Sequence, residues 1–319
     1  MKLLCEQGVI AEQAPQAAPT PSQHLVEEFD LYLQKERALA VATRACYRSF
    51  VQQFLNARFG RGPVSLASLC PADVTGFVRR QGTQCKGRRV QLMTTALRSF
   101  LRFARYRGDL TSDLAACVPS VASWSLSALP SSLPPAQVEQ ALAHCSRQSP
   151  VGRRDYAILL LLARLGLRAG EVARLTLEDI DWEKGCITVQ GKAGRSSQLP
   201  LPADVGEAIV DYLKNGRPGV SGNRRVFLRS RAPITGFKGQ QAVGSVVKHA
   251  LARAGIDSPR KGAHQFRHAL ATQMLRQGAS LAEIGEVLRH QNLRTTAIYA
   301  KVDLVSLRRL ALPWPGGAR

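Results

Sequence analysis

His264-Gln-Phe-Arg267-His268-Ala-Leu-Ala-Thr272, then Leu288-Arg289-His290, then Thr295-Thr296-Ala-Ile-Tyr299: this C-terminal run decides how the rest of the chain is read. His264 and Arg267 are three residues apart, so one helical turn places them on the same side of a helix that Gly278 would end. An earlier arginine, Arg168, sits in Leu165-Gly-Leu-Arg168-Ala-Gly-Glu171. Arginine suits a phosphate clamp because its planar fork contacts two oxygens and keeps its proton. Two arginines, two histidines and a tyrosine on a basic chain point to chemistry on a DNA phosphodiester. Each residue alone has an ordinary explanation: a helix-start arginine, a histidine at a helix C-terminus, or a tyrosine anchoring a short helix. The combination carries the reading.

Composition agrees with a polyanionic partner. The 319 residues hold 44 Lys and Arg against 23 Asp and Glu, a formal charge of +21. Residues 1–130 carry 16 basic and 9 acidic side chains, so about a third of the excess lies there and the rest follows. Both halves are basic, which excludes a single detachable charged tail and favours a nucleic acid touching both. The seven cysteines are scattered without CxxC spacing, as expected of free thiols in a reducing compartment, and no zinc pattern appears. No GxxxxGK[ST] phosphate loop and no acidic metal cluster is visible, so no cofactor is expected. The longest apolar run, Ala157 to Leu167, is broken by Arg164 and is too short for a membrane span. A cytoplasmic, DNA-associated bacterial protein is expected.

Periodicity divides the chain. Residues 1–21, rich in Ala, Gln and Pro, read as a flexible tail. Residues 22–118 read as a helical domain with four apolar stripes. The first contains Leu25, Phe29, Leu31, Tyr32 and Leu33, and the second Tyr47, Phe50, Val51, Phe54 and Leu55. A third helix starts at Pro71 and carries Val74, Phe77 and Val78. The fourth spans Lys86 to Tyr106, with Leu92, Leu97, Leu101 and Phe103 inside and Gly108 ending it. Residues 119–133, rich in Pro and Ser, read as a linker. Residues 134–319 form the second domain. It opens with helices at 135–145 and 154–165, then strands at 186–190 and 198–201 joined by Gly191-Lys192-Ala-Gly194-Arg195. Helices follow at 204–214, 240–254, 265–277, 281–289 and 294–300.

The His-x-x-Arg-His box, the later histidine and the Thr-Thr-x-x-Tyr ending together resemble the tyrosine recombinase (phage integrase) family. The match spans most of the chain. Two departures stand out: Phe266 replaces a usual leucine, and Arg289 replaces the usual glycine of Leu-Gly-His. The resemblance implies a mainly α fold, with a small helical core-binding domain and a larger, mostly helical catalytic domain containing a small sheet. It implies that Arg168, His264, Arg267 and His290 hold and neutralise the scissile phosphate, with Glu171 steadying Arg168. His264 is also the expected acceptor of the tyrosine proton. Lys192, in the hairpin turn, would protonate the leaving 5′ oxygen. Tyr299 would attack, giving a covalent phosphotyrosine that stores bond energy for rejoining without ATP.

Elsewhere, Arg44, Arg48, Lys86, Arg88, Arg89 and Arg195 are expected phosphate contacts, which position DNA without specifying sequence. The apolar stripe after residue 303, with Leu304, Leu307 and Leu310, is expected to pack on a neighbouring protomer or on its own domain. Four coordinated cleavages imply a tetramer on two sites of double-stranded DNA, with room for a partner recombinase or an accessory DNA-bending protein. Integration or transposition of a mobile element is the first reading. Alternatives are a chromosome or plasmid dimer resolvase, a relaxing topoisomerase with the same chemistry, a DNA-binding regulator whose 265–277 and 281–289 helices only read a groove, and an inactive partner of a recombinase.

Overall fold

The computed structural model describes residues 19–85, 87–121, 132–191, 194–220, 222–290 and 292–302. The chain divides into two compact units, Met1–Ser125 and Leu126–Arg319. The expected tail (apart from its last three residues), most of the expected linker, Lys86, Lys192 and the segment from residue 303 onward lie outside the described residues.

In the first unit, four helices enclose one core: α1 (Pro21–Lys35), α2 (Val41–Phe59), α3 (Pro71–Gln84) and α4 (Gly87–Tyr106). Helix α1 starts at Pro21 because Thr20 caps it. The Thr20 hydroxyl accepts from the Gln23 N–H and the Gln23 side chain accepts from the Thr20 N–H at 2.7 Å. The core is aromatic, with Phe29 edge-on to Phe100 at 5.4 Å and Phe54 to Phe77 at 5.3 Å. Two expected core positions are corrected. Leu31 is 52% exposed and Leu92 is 39% exposed. Val26 and Met93, one helical step round from the predicted stripes, take the inward places.

The second unit is built on α6 (Pro150–Arg164), packed among α5 (Pro135–Ala143), α8 (Ala203–Asn215), α9 (Gln240–Arg253) and α10 (His264–Arg276). Seven successive residues of α6, Ala157 to Ala163, are buried. Each large aliphatic among them contributes about 1.5–3 kcal/mol by leaving water. This helix begins at Pro150, ahead of the expected start at residue 154, where the Ser149 hydroxyl accepts from the Gly152 N–H. After the short α7 (Ala169–Arg174) comes an antiparallel sheet, β1 (Ile180–Asp181), β2 (Cys186–Gln190) and β3 (Ser196–Pro200), in the order β1-β2-β3. β1 was not expected, and β3 starts two residues earlier than predicted. Ile187 and Val189 of β2 enter the same core as Val172 of α7. The unit closes with α11 (Leu281–Val287), α12 (Leu293–Thr296) and a 3-10 helix, Ala297–Val302. No helix among the described residues is long and apolar enough to cross a membrane.

The corner from α6 to α7 aims the site. Gly166 adopts φ +56°, and a Cβ there would come within 2.8 Å of Leu288 Cδ2 and 3.0 Å of Leu270 Cδ2. Left-handed backbone and close packing both require glycine. Gly166→Ala is therefore expected to cost about 2–4 kcal/mol, from backbone strain plus overpacking, read as a lower urea midpoint at unchanged slope.

Candidate active site

Arg168 occupies the N-cap of α7, delivered by the Gly166 corner and the buried Leu167. Its guanidinium donates to Glu171 Oε1 at 2.8 Å and its backbone N–H to Glu171 Oε2 at 2.8 Å. Nη2 donates to the Arg289 carbonyl at 3.3 Å. Glu171 is buried and shared: Oε2 also accepts from Arg289 Nη2 at 2.9 Å. Burial pushes its carboxyl up. The Arg168 hydrogen bonds and the charges of Arg289 and Arg168 outweigh that and hold it below the ordinary carboxylate value.

Arg267 comes from the first turn of α10 and is 2% exposed. It donates to the carbonyls of Gly166 and Leu288, tying the α6 corner to the end of α11. Burial, then the neighbouring charges of Arg168 and Arg289, push it down to about 10, so it stays a cation at neutral pH. His290 follows α11, whose start is set by a Ser280–Glu283 capping box. The His290 ring nitrogen Nδ1 meets the Thr296 hydroxyl at 2.7 Å.

Tyr299 lies on the 3-10 helix, 1% exposed, in a small apolar cluster with Ala271, Ile284 and Leu288. Its hydroxyl meets Nδ1 of His268 at 2.8 Å. His264 stacks on His268 with ring centres 5.3 Å apart. The contact with the tyrosine hydroxyl is thus made by His268, one turn on from His264 along α10. Burial raises the Tyr299 phenol to about 12, with Arg267 pulling the other way.

Arg168, Glu171, Arg195, Arg289 and His290 line one open cleft, together with Gly191 from the end of β2. The Gly191 N–H donates to the Arg195 carbonyl at 2.7 Å, and both residues border the cleft; Lys192 is outside the described residues. Of the expected phosphate contacts in the first unit, Arg88 and Arg89 are exposed at the start of α4. Arg44 lies 3.5 Å from Asp30 and Arg48 3.9 Å from it, so both share that carboxylate. Sequence reading missed His268, Thr296 and Arg289 as members of the site. The first two had a signal, being i+4 from His264 and part of the Thr-Thr-x-x-Tyr run.

His268 and His290 are both pushed down to about 4. The first is lowered by burial, then His264, Arg267 and Arg260, and the second by burial, then Arg267 and Arg168. The unfolded imidazoles take a proton near pH 6.5, while the folded ones resist until about pH 4. The unfolded state therefore gains protons first, and stability present above pH 6.5 is lost as pH falls through this window. Urea unfolding between pH 7 and 4 is expected to show a loss of about 2–4 kcal/mol, reduced in His268→Asn.

Comparison with known proteins matches the chain to one family. Residues 131–304 match the Phage integrase family, and residues 26–108 match the Phage integrase, N-terminal SAM-like domain. A Sinorhizobium fredii protein named "Putative integrase/recombinase y4rA" is 55% identical over 320 residues, covering 100% of this chain and 78% of that protein. Tyrosine recombinase XerD of Vibrio cholerae is 31% identical over 304 residues, covering 92% of this chain and 96% of that one. The fold resembles the XerH site-specific recombinase bound to palindromic difH substrate in a post-cleavage complex. The TM-score there is 0.70 at 18% identity, with 97% of this chain and 92% of that chain covered. A lambda integrase dimer bound to a COC′ core site gives a TM-score of 0.65 at 17% identity, over 86% and 94% of the two chains.

Proposed function

This chain belongs to the phage integrase family of tyrosine recombinases, and we propose that its own Arg168, Lys192, His264, Arg267, His290 and Tyr299 cut and rejoin DNA, for integration or transposition of a mobile element. The observation that carries the reading is the cleft: Arg168 and His290 line it, Gly191 and Arg195 border it, and the buried Arg267 and Tyr299 both pack against Leu288, next to the cleft-lining Arg289.

The chemistry follows from those positions. A phosphodiester entering the cleft meets Arg168 and His290, and the buried cation Arg267 lies in the same charge cluster. Tyr299 Oη attacks phosphorus as the P–O5′ bond breaks, giving a 3′-phosphotyrosine and a free 5′ hydroxyl. Lys192 supplies the proton to O5′, and the tyrosine proton passes to the His268–His264 pair. The 5′ hydroxyl of another strand then reverses the step, so the phosphoester count is conserved and no ATP is consumed. In the structure at hand the Tyr299 hydroxyl is buried against His268 and high in pKa. Attack requires the 3-10 helix to release it toward the phosphate.

Double-stranded DNA is the proposed substrate, gripped by basic surfaces on both units, with Arg195 beside the cleft and Arg88, Arg89, Arg44, Arg48 and Lys86 contributing from the first. The division into a helical core-binding domain at 22–118 and a catalytic domain at 134–319 fits that role. A tetramer in the cytoplasm is the proposed working assembly, with a partner recombinase or DNA-bending protein as an optional member. The test is recovery of covalent protein–DNA adducts from cells under denaturing conditions, with the attached DNA sequenced. One recurring sequence at element ends supports integration. Adducts scattered over unrelated sequences would replace it with a relaxing enzyme.

A further inference from the structure

We propose that Arg289 is a third guanidinium of the phosphate site, occupying a position where a side chain is costly because its charge is needed there. The proposal rests on the reading of the Arg168 cleft as the phosphate site.

The backbone comes first. Arg289 has φ +54°, one of only two non-glycine residues with positive φ among those described. That conformation strains an L-residue with a long side chain, and glycine would relieve it. A purely structural demand at this corner therefore selects glycine, not arginine. Something beyond the turn has to favour the side chain.

Its surroundings supply the reason. Arg289 lines the cleft with Arg168, Arg195 and His290. Nη2 donates to Glu171 Oε2, and the Arg289 carbonyl accepts from Arg168 Nη2. Nη1 is buried and has no partner among the described residues. A buried charged donor left unpaired costs more than a neutral one, and an anion's oxygen would satisfy it. Among the described residues, Glu171 is the one carboxylate in ion-pair contact with Arg168, Arg267 or Arg289.

The charge count points the same way. With Arg168 and Arg267 alone, Glu171 cancels one of two positive charges and leaves a single one. Adding Arg289 restores two. A phosphodiester enters with one negative charge and gains a second as the deprotonated tyrosine oxygen adds to phosphorus, so three arginines with Glu171 carry a net charge equal and opposite to that of the transition state. Glu171 can then steady Arg168 without draining the site of charge.

The test uses the full chain and inorganic phosphate, titrated calorimetrically at low ionic strength, with thermal unfolding of every variant alongside. Arg289→Gly and Arg289→Ala are expected to weaken phosphate binding about 10-fold or more, while Arg289→Lys keeps most of it. The glycine variant should be as stable as the parent or more so. Affinity thus follows the charge at residue 289, whereas a backbone role would make it follow the freedom of the residue, with Gly best and Lys and Ala alike. Arg168→Ala separates the two levels of the reading. If Arg168→Ala weakens binding and Arg289→Gly does not, Arg289 is no phosphate residue although the site stands. If neither variant weakens binding, or the parent binds no phosphate, the cleft is not the phosphate site and the proposal for Arg289 falls with it.

Discussion

Tyr299→Phe is expected to lower DNA cleavage by at least about 10⁴-fold while leaving the fold and DNA binding nearly unchanged. The reason lies in how little else the hydroxyl does. The ring packs against Ala271, Ile284 and Leu288, and phenylalanine keeps those contacts. Among the described residues the hydroxyl hydrogen-bonds to His268 Nδ1, and losing that bond costs about 1 kcal/mol. A tyrosine that merely anchored the 3-10 helix would give the reverse pattern, with cleavage intact and a small stability loss. Single-turnover cleavage of a nicked DNA substrate, with thermal midpoints of both proteins, separates the two. The phenol, raised to about 12 by burial, holds its proton where it sits, so the proposed attack requires it to leave its apolar cluster.

Arg267→Ala should damage stability and catalysis together. The guanidinium is 2% exposed and bridges the carbonyls of Gly166 and Leu288, which come from the corner that carries Arg168 and the segment that carries His290. Alanine leaves two buried acceptors without donors and a cavity between α10 and that corner. The expected cost is about 3–5 kcal/mol. Cleavage measured at a temperature where the variant remains folded should still fall about 10²-fold or more, because the phosphate loses a buried cation. Arg267→Lys keeps the charge but loses the fork, and should recover stability only partly. Chemical denaturation monitored by circular dichroism gives the first number. An unchanged unfolding midpoint for Arg267→Ala would show that the bridge between the two segments contributes nothing.

How much of this was legible beforehand depends on how local each feature is. The stripes at Tyr47–Leu55 and Val74–Val78 repeat at helical spacing, and they are the buried residues of α2 and α3. Leu31 and Leu92 were misassigned because an apolar residue beside a stripe looks inward to a count and outward to the packed helix. β1 is two residues long and exists only through pairing of Ile180 with Ile187 and Asp181 with Cys186, which no local pattern encodes. Within the site, the spacing of His264 and Arg267 put both at the start of α10, but not which histidine would reach Tyr299. His264 and His268 share a face, and the packing of α10 against the 3-10 helix chooses His268. Arg289 was legible only as a departure from glycine. Its ion pair with Glu171 joins residues 118 positions apart, so its role required the folded chain.

The central claim, that Tyr299 is the residue joined to DNA, is tested most directly by trapping the covalent complex on a nicked substrate that releases its short 5′ fragment. The complex is then digested and the modified peptide and the DNA end identified by mass spectrometry. A single modified peptide is expected, carrying the phosphate on the Tyr299 oxygen and linked to the 3′ side of the break. A phosphate on any other residue, or a linkage to the 5′ end, would contradict it.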